Sequence, residues 1–144
     1  MYGKLGLEIL EKGYNPEKTL QKLIKKDTSP EKRQVAILSY SGKSAHHTGI
    51  SCPKEKGAKS GKNYIALGNM LKSVDTVNEM GNCFEKREGT LLEKIYSALK
   101  AGAENGGDVR GNKTAAIAIK GDKNVDLDVE YSETPLRDLE EMMI

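Results

Sequence analysis

With 144 residues the chain is long enough to bury one real core and too short for two ordinary domains, so a single domain over residues 1–144 is expected. Charged residues make up 31%, with 23 basic against 21 acidic, a balance that fits a solvated surface and not a nucleic-acid footprint; no apolar run approaches membrane-spanning length. Nucleic acid and membrane are therefore not expected as partners. The hydrophobic content of 37% includes one Phe and no Trp, which predicts an aliphatic core. No basic-then-apolar secretory pattern opens the chain, so a cytoplasmic address is the expectation. Two cysteines, Cys52 and Cys83, cannot build a four-thiolate metal site and are expected as free thiols; no cofactor is expected.

In chain order, Tyr2 to Gly13 predicts a helix with Leu5, Ile9 and Leu10 on one face. Asn15-Pro16-Glu17 starts a second helix with a capping side chain, a proline at the first helical position and an early acid, and Leu20, Leu23 and Ile24 form its buried stripe. Gln34 to Tyr40 predicts a strand, Ser41-Gly42 a tight turn, and Lys43 to Gly49 a second strand. Val35 and Ile37 share one face of the first strand, Ala36 and Leu38 the other, so burial on both sides is expected. On the second strand the adjacent His46 and His47 face opposite sides, which rules out a side-by-side metal pair. One of them should face inward; the ordinary fate of such a residue is a hydrogen-bonded core histidine, and the alternative is a site role.

Ile50 to Lys62 is expected as an exposed loop, and Tyr64 to Leu71 as a strand with a bulge or close backbone approach at Gly68-Asn69. Ser73 caps the next predicted helix, whose face is Val74, Val77, Gly81 and Phe84. Thr90-Leu-Leu-Glu93 is a capping box for another helix, with Leu92, Ile95 and Leu99 inward. A glycine-rich loop follows, with Asp108 and Arg110 among Gly102, Gly106, Gly107 and Gly111. It runs from helix into strand, the opposite polarity to phosphate-cradling loops, so a helix stop braced by an Asp108–Arg110 pair is expected in preference to a nucleotide site, with a direct role in binding or chemistry as the alternative. Thr114 to Lys120 and Val125 to Tyr131 predict two more strands, the latter with Val125, Leu127 and Val129 inward. Thr134-Pro135 starts a last helix carrying Leu136, Leu139 and Met143. This order argues an α+β layered fold.

Tyr2-Gly-Lys-Leu-Gly-Leu-Glu-Ile-Leu, Arg33-Gln-Val-Ala-Ile-Leu, Ala45-His-His-Thr-Gly49 with Cys52, Gly68-Asn-Met-Leu71, Ala101 to Gly111 and Val125-Asp-Leu-Asp-Val129 resemble successive landmarks of one family, catalogued as domain of unknown function one thousand and twenty-eight. The resemblance implies a four-layer α-β-β-α sandwich similar to N-terminal-nucleophile hydrolases. It also implies that the chain matches the C-terminal part of the family only, without the leading strands and their terminal Thr. In such hydrolases the terminal Thr, Ser or Cys attacks an amide and its own α-amine acts as base. Met1 has no such atom, and Tyr2 would supply only a phenol of pKa about 10. His47, Asn69, Asp108 and Arg110 match the family pattern and are the candidate substrate-binding residues, expected near one another at one end of the sheets. Departures fall at Glu55, Ala58, Leu67, Lys113 and Glu130-Tyr131-Ser132. The resemblance thus implies a protein without amide hydrolysis of its own that persists as a binding or structural module, or that is a truncated product of a longer gene. The alternative is an amidohydrolase whose nucleophile comes from another segment, or from Thr48 or Cys52, acting on a small amide. Bare strand edges are expected to be covered by a homo-oligomer.

Overall fold

A computed structural model describes residues 2–144; Met1, which the sequence reading finds without a nucleophilic atom, lies outside the described residues. The fold is mixed α+β, with five helices and three small antiparallel hairpins among the described residues. The chain divides into two compact units, Met1–Met70 and Leu71–Ile144.

The first unit opens with α1 (Tyr2–Glu11) and α2 (Pro16–Lys26). Asn15 caps α2 as its sequence predicts, its Oδ1 accepting from Lys18 N at 2.9 Å, with Pro16 fixed at the first helical position. A short 3-10 turn, Pro30–Lys32, leads into β1 (Gln34–Leu38), which pairs with β2 (Ser44–Thr48) so that Val35 faces His47 and Ile37 faces Ala45. Ile9, Leu20, Leu23 and Ile37 form the core where the two helices meet this hairpin. Leu23 is 1% exposed, and burying a leucine so fully contributes roughly 1.5–3 kcal/mol. Burial of β1 on both sides does not hold: Ala36 and Leu38 are exposed, Leu38 at 44%, because α1 and α2 cover only the face that carries Val35 and Ile37.

The exposed loop expected over residues 50–62 is also corrected. Its second half is β3 (Gly57–Gly61), paired with β4 (Tyr64–Gly68) through a two-residue turn in which Asn63 takes φ +64. Asn tolerates the left-handed region better than most residues, which lets Lys62-Asn63 close the hairpin.

The second unit pairs α3 (Asp75–Lys86) with α4 (Leu91–Glu104). Thr90 and Glu93 form the reciprocal capping box, and the Glu93 carboxyl is held below its ordinary range first by the Thr90 backbone N–H and then by its hydroxyl. The two helices approach closely at Gly102, where a Cβ would lie 2.7 Å from Met80 Cγ. Ser73 accepts from Asp75 N at 3.1 Å, but Val74 precedes the first helical turn and is exposed, so the buried stripe of α3 is Thr76, Val77 and Gly81. The hairpin β5 (Ala115–Ile119) and β6 (Val125–Val129) packs with α4 and α5 (Pro135–Glu141) around Tyr96, Ile117, Val129 and Leu139. Burial, followed by the Glu140 carboxylate, pushes the Tyr96 phenol up to about 12.

Candidate functional site

On the second unit the glycine loop is built by the end of α4. Asn105 turns back on the helix, its backbone N–H and its Nδ2 both donating to Ala101 O at 3.1 and 2.8 Å. Gly107, at φ +60, donates to Gly102 O and accepts from Lys72 N, each at 3.0 Å, so the loop is stitched to the segment before α3. A side chain at Gly107 would be strained by φ and would sit 2.9 Å from the Asn112 amide.

Asp108 then closes on Arg110. Its Oδ1 accepts from Arg110 N at 2.8 Å and Nε at 2.9 Å, and its Oδ2 accepts from Nη2 at 2.6 Å. The backbone bond makes an Asx turn and the two guanidinium bonds make a fork, so local geometry and charge reinforce each other. The Arg110 side chain, then its backbone N–H, hold the Asp108 carboxyl down at about 2. The expected brace is therefore what the loop contains. Beside it lies a cavity of about 350 Å³ in the same unit, lined mainly by apolar groups such as Leu71, Met80 and Leu99, with Asp108, Asn112 and Thr114 at its polar side.

On the first unit His47 is half-buried, and its Nε2–H donates to Pro30 O at 2.9 Å; a carbonyl only accepts, so this nitrogen carries the proton. That is the hydrogen-bonded histidine foreseen in the sequence. Asn69 Nδ2 donates to Gln34 Oε1 at 2.9 Å, and Gln34 Nε2 reaches Gly68 O at 2.9 Å, Gly57 O at 3.1 Å and Thr48 Oγ1 at 3.2 Å. Gln34 thereby ties β1 to β2, β3 and β4. Sequence reading overlooked it, although a polar residue opening the apolar run Val35-Ala-Ile-Leu38 was a signal. Lys56 was overlooked as well: its ammonium takes the carbonyls of Gly49, Ile50 and Cys52 at 2.9, 2.6 and 2.8 Å. The four candidates thus fall as one direct pair, Asp108–Arg110, on the second unit, and two separately held side chains, His47 and Asn69, on the first.

Cys52 is buried and Cys83 half-buried, and both are free thiols. Among the described residues no group of three His, Cys, Asp or Glu is placed to hold a metal ion, and no helix is long and apolar enough to cross a membrane. Lys113, at a position of departure from the family pattern, pairs with Glu133, whose other oxygen accepts from Tyr131 at 3.0 Å.

A model described as a family of unknown function, DUF1028, matches residues 1–139. The chain belongs to the DUF1028 family. The DUF1028 match runs over nearly the whole chain, and the expectation of a match to the C-terminal part only is not borne out. Among solved structures, the crystal structure of protein SPO2555 from Silicibacter pomeroyi, itself assigned to DUF1028, is similar with a TM-score of 0.90 and 27% identity. The alignment covers 99% of this chain and 62% of that one, so the chain spans under two thirds of the length of this DUF1028 relative. No curated protein matches. Neither DUF1028 description names an activity, a ligand or an assembly.

Proposed function

We propose that this DUF1028 protein is a binding or structural module of N-terminal-nucleophile-hydrolase-like architecture, a four-layer α-β-β-α sandwich over one domain, that does not hydrolyse amides on its own. His47, Asn69, Asp108 and Arg110 are its proposed binding residues, and a small amide-containing molecule is its proposed ligand. The observation that carries the reading is the state of the two internal candidates for a nucleophile. Thr48 Oγ1 accepts from the Gln34 amide, a donor and not a base, and Cys52 is buried beside the carbonyls that hold Lys56. Acyl transfer needs a base within hydrogen-bond reach of the attacking atom. His47 commits its Nε2–H to Pro30 O, so that nitrogen serves as a donor to the backbone and is not a free base.

The second reading, an amidohydrolase whose nucleophile comes from a separate or upstream segment, draws on the greater length of the Silicibacter pomeroyi relative. Incubation of the purified chain with a library of small amides, followed by mass spectrometry for released acid, tests both. No turnover is expected; turnover abolished by Thr48→Ala or Cys52→Ala overturns the proposal. Two free thiols fit the reducing cytoplasm. Self-association through the apolar face formed by Leu7 of α1 and Leu38 of β1 is part of the same proposal, and a monomer by light scattering at micromolar concentration removes that part.

A further inference from the structure

The cavity beside the glycine loop has its own chemistry. Its volume of about 350 Å³ stands at the small end of the range typical of ligand pockets, which suits a compact molecule with an aliphatic body. Leu71, Met80, Leu99 and Leu136 supply the apolar walls. The polar side holds one charged group, the Asp108 carboxylate, and the Arg110 fork already answers that charge. A ligand ammonium would have to compete with a guanidinium that engages both oxygens, and a ligand carboxylate would meet an ionised acid. The site therefore selects for an uncharged molecule.

Hydrogen-bond capacity narrows the class. Asp108 accepts three bonds from Arg110, and a carboxylate offers about four lone-pair sites, so one acceptor remains. Asn112 uses its Oδ1 to accept from Asp108 N at 3.3 Å, which leaves its Nδ2 without a partner among the described residues. A spare donor beside a spare acceptor, above an apolar floor, matches a group that carries both a carbonyl and an N–H. We infer that the cavity binds an uncharged aliphatic carboxamide, its carbonyl on Asn112 Nδ2, its N–H toward Asp108, and its alkyl part among Leu71, Met80 and Leu99. The inference rests on the proposed binding role and gives it a site and a ligand class.

Three probes with one leucine side chain separate the outcomes: N-acetyl-leucinamide is neutral, N-acetyl-leucine is an anion and leucinamide is a cation at pH 7. Each is titrated into the intact chain at millimolar concentration and followed by amide chemical shifts. Saturable shifts at residues 102–116 with the neutral probe are expected, with at least tenfold weaker binding of the two charged probes. Asn112→Ala is expected to weaken the neutral probe about tenfold while leaving the thermal melt in place, and Thr114→Val, on the same side of the cavity, gives an independent reading. Equal or tighter binding of either ion, no saturable shifts, or shifts elsewhere in the chain overturns the inference. The samples are then assayed for free leucine derivatives and ammonia: hydrolysis overturns the non-catalytic reading even where binding is found, and absence of both binding and hydrolysis overturns the ligand assignment alone.

Discussion

Asn69 Nδ2 donates to Gln34 Oε1 at 2.9 Å, and through that one amide the end of β4 is tied to the start of β1. Gln34 in turn spends its two N–H groups on three acceptors, from Gly57, Gly68 and Thr48, so one hydrogen is shared. The side chain is half-buried, and losing it leaves two strand carbonyls and the Asn69 amide short of a partner. Gln34→Ala is expected to lower stability by about 1–3 kcal/mol in urea unfolding, and Asn69→Ala by about 1 kcal/mol. Because both act on one network, the double variant should lose less than the total of the two single losses; strict additivity would show that they are independent.

Asp108 and Asp27 give the acid limb of stability its expected shape. Asp27 is held at about 2, first by the Arg33 side chain and then by the Ser29 N–H, and Asp108 at about 2 by Arg110. A carboxyl with a lowered folded value stabilises fully above its unfolded value of about 3.9, and that contribution is lost as pH falls toward 2. Stability should thus decline between about pH 4 and pH 2. Asp108→Asn, and more so Asp27→Asn with Asp108→Asn, should flatten that decline; an unchanged slope in urea titrations across this window would count against the pairing.

The loop after β2 is locked by a contact that leaves no room. A Cβ on Gly49 would stand 2.1 Å from Glu31 O and 2.7 Å from Pro30 O, and Pro30 O is the acceptor for His47. Gly49→Ala must displace backbone, at a cost of about 1–3 kcal/mol or more. It should also shift the ring resonances of His47. Gly57→Ala, where nothing lies within 4 Å, is the comparison and should leave both readouts nearly unchanged.

Thr19 is 0% exposed, and its hydroxyl finds no hydrogen-bond partner among the described residues. Such a group costs about 1–3 kcal/mol of desolvation with nothing returned. Thr19→Val keeps the shape and removes the hydroxyl, so it should raise the unfolding midpoint by about 1 kcal/mol equivalent. A lower midpoint would indicate that the hydroxyl is satisfied in solution.

Local signals made much of the fold legible. Asn15-Pro16, the Thr90–Glu93 box and the alternation of Val125, Leu127 and Val129 each state their structure within a few residues, and each is found as read. Asp108 and Arg110, two positions apart with glycines around them, were legible for the same reason. What escaped was set by distant partners. The segment Gly57-Ala-Lys-Ser-Gly61 has no apolar alternation and becomes a strand only because β4 lies beside it. The outer face of β1 looked apolar in sequence, yet apolarity does not say whether a neighbour covers it. Gln34 and Lys56 owe their roles to carbonyls that no side-chain pattern reveals.

Each strand of the three hairpins pairs with the one next to it in sequence, across Ser39–Lys43, Lys62-Asn63 and residues 120–124. Short connections lose little entropy on closing, and hairpins of this kind form within microseconds. The three hairpins can therefore pair before helix packing is complete, whereas the isolated bridge between Leu71 and Asp108 has to wait for α3 and α4 to bring its ends together. Local helices and the three ribbons should form early, and the slow step should be the docking of helix on hairpin that buries Leu23 and Leu139.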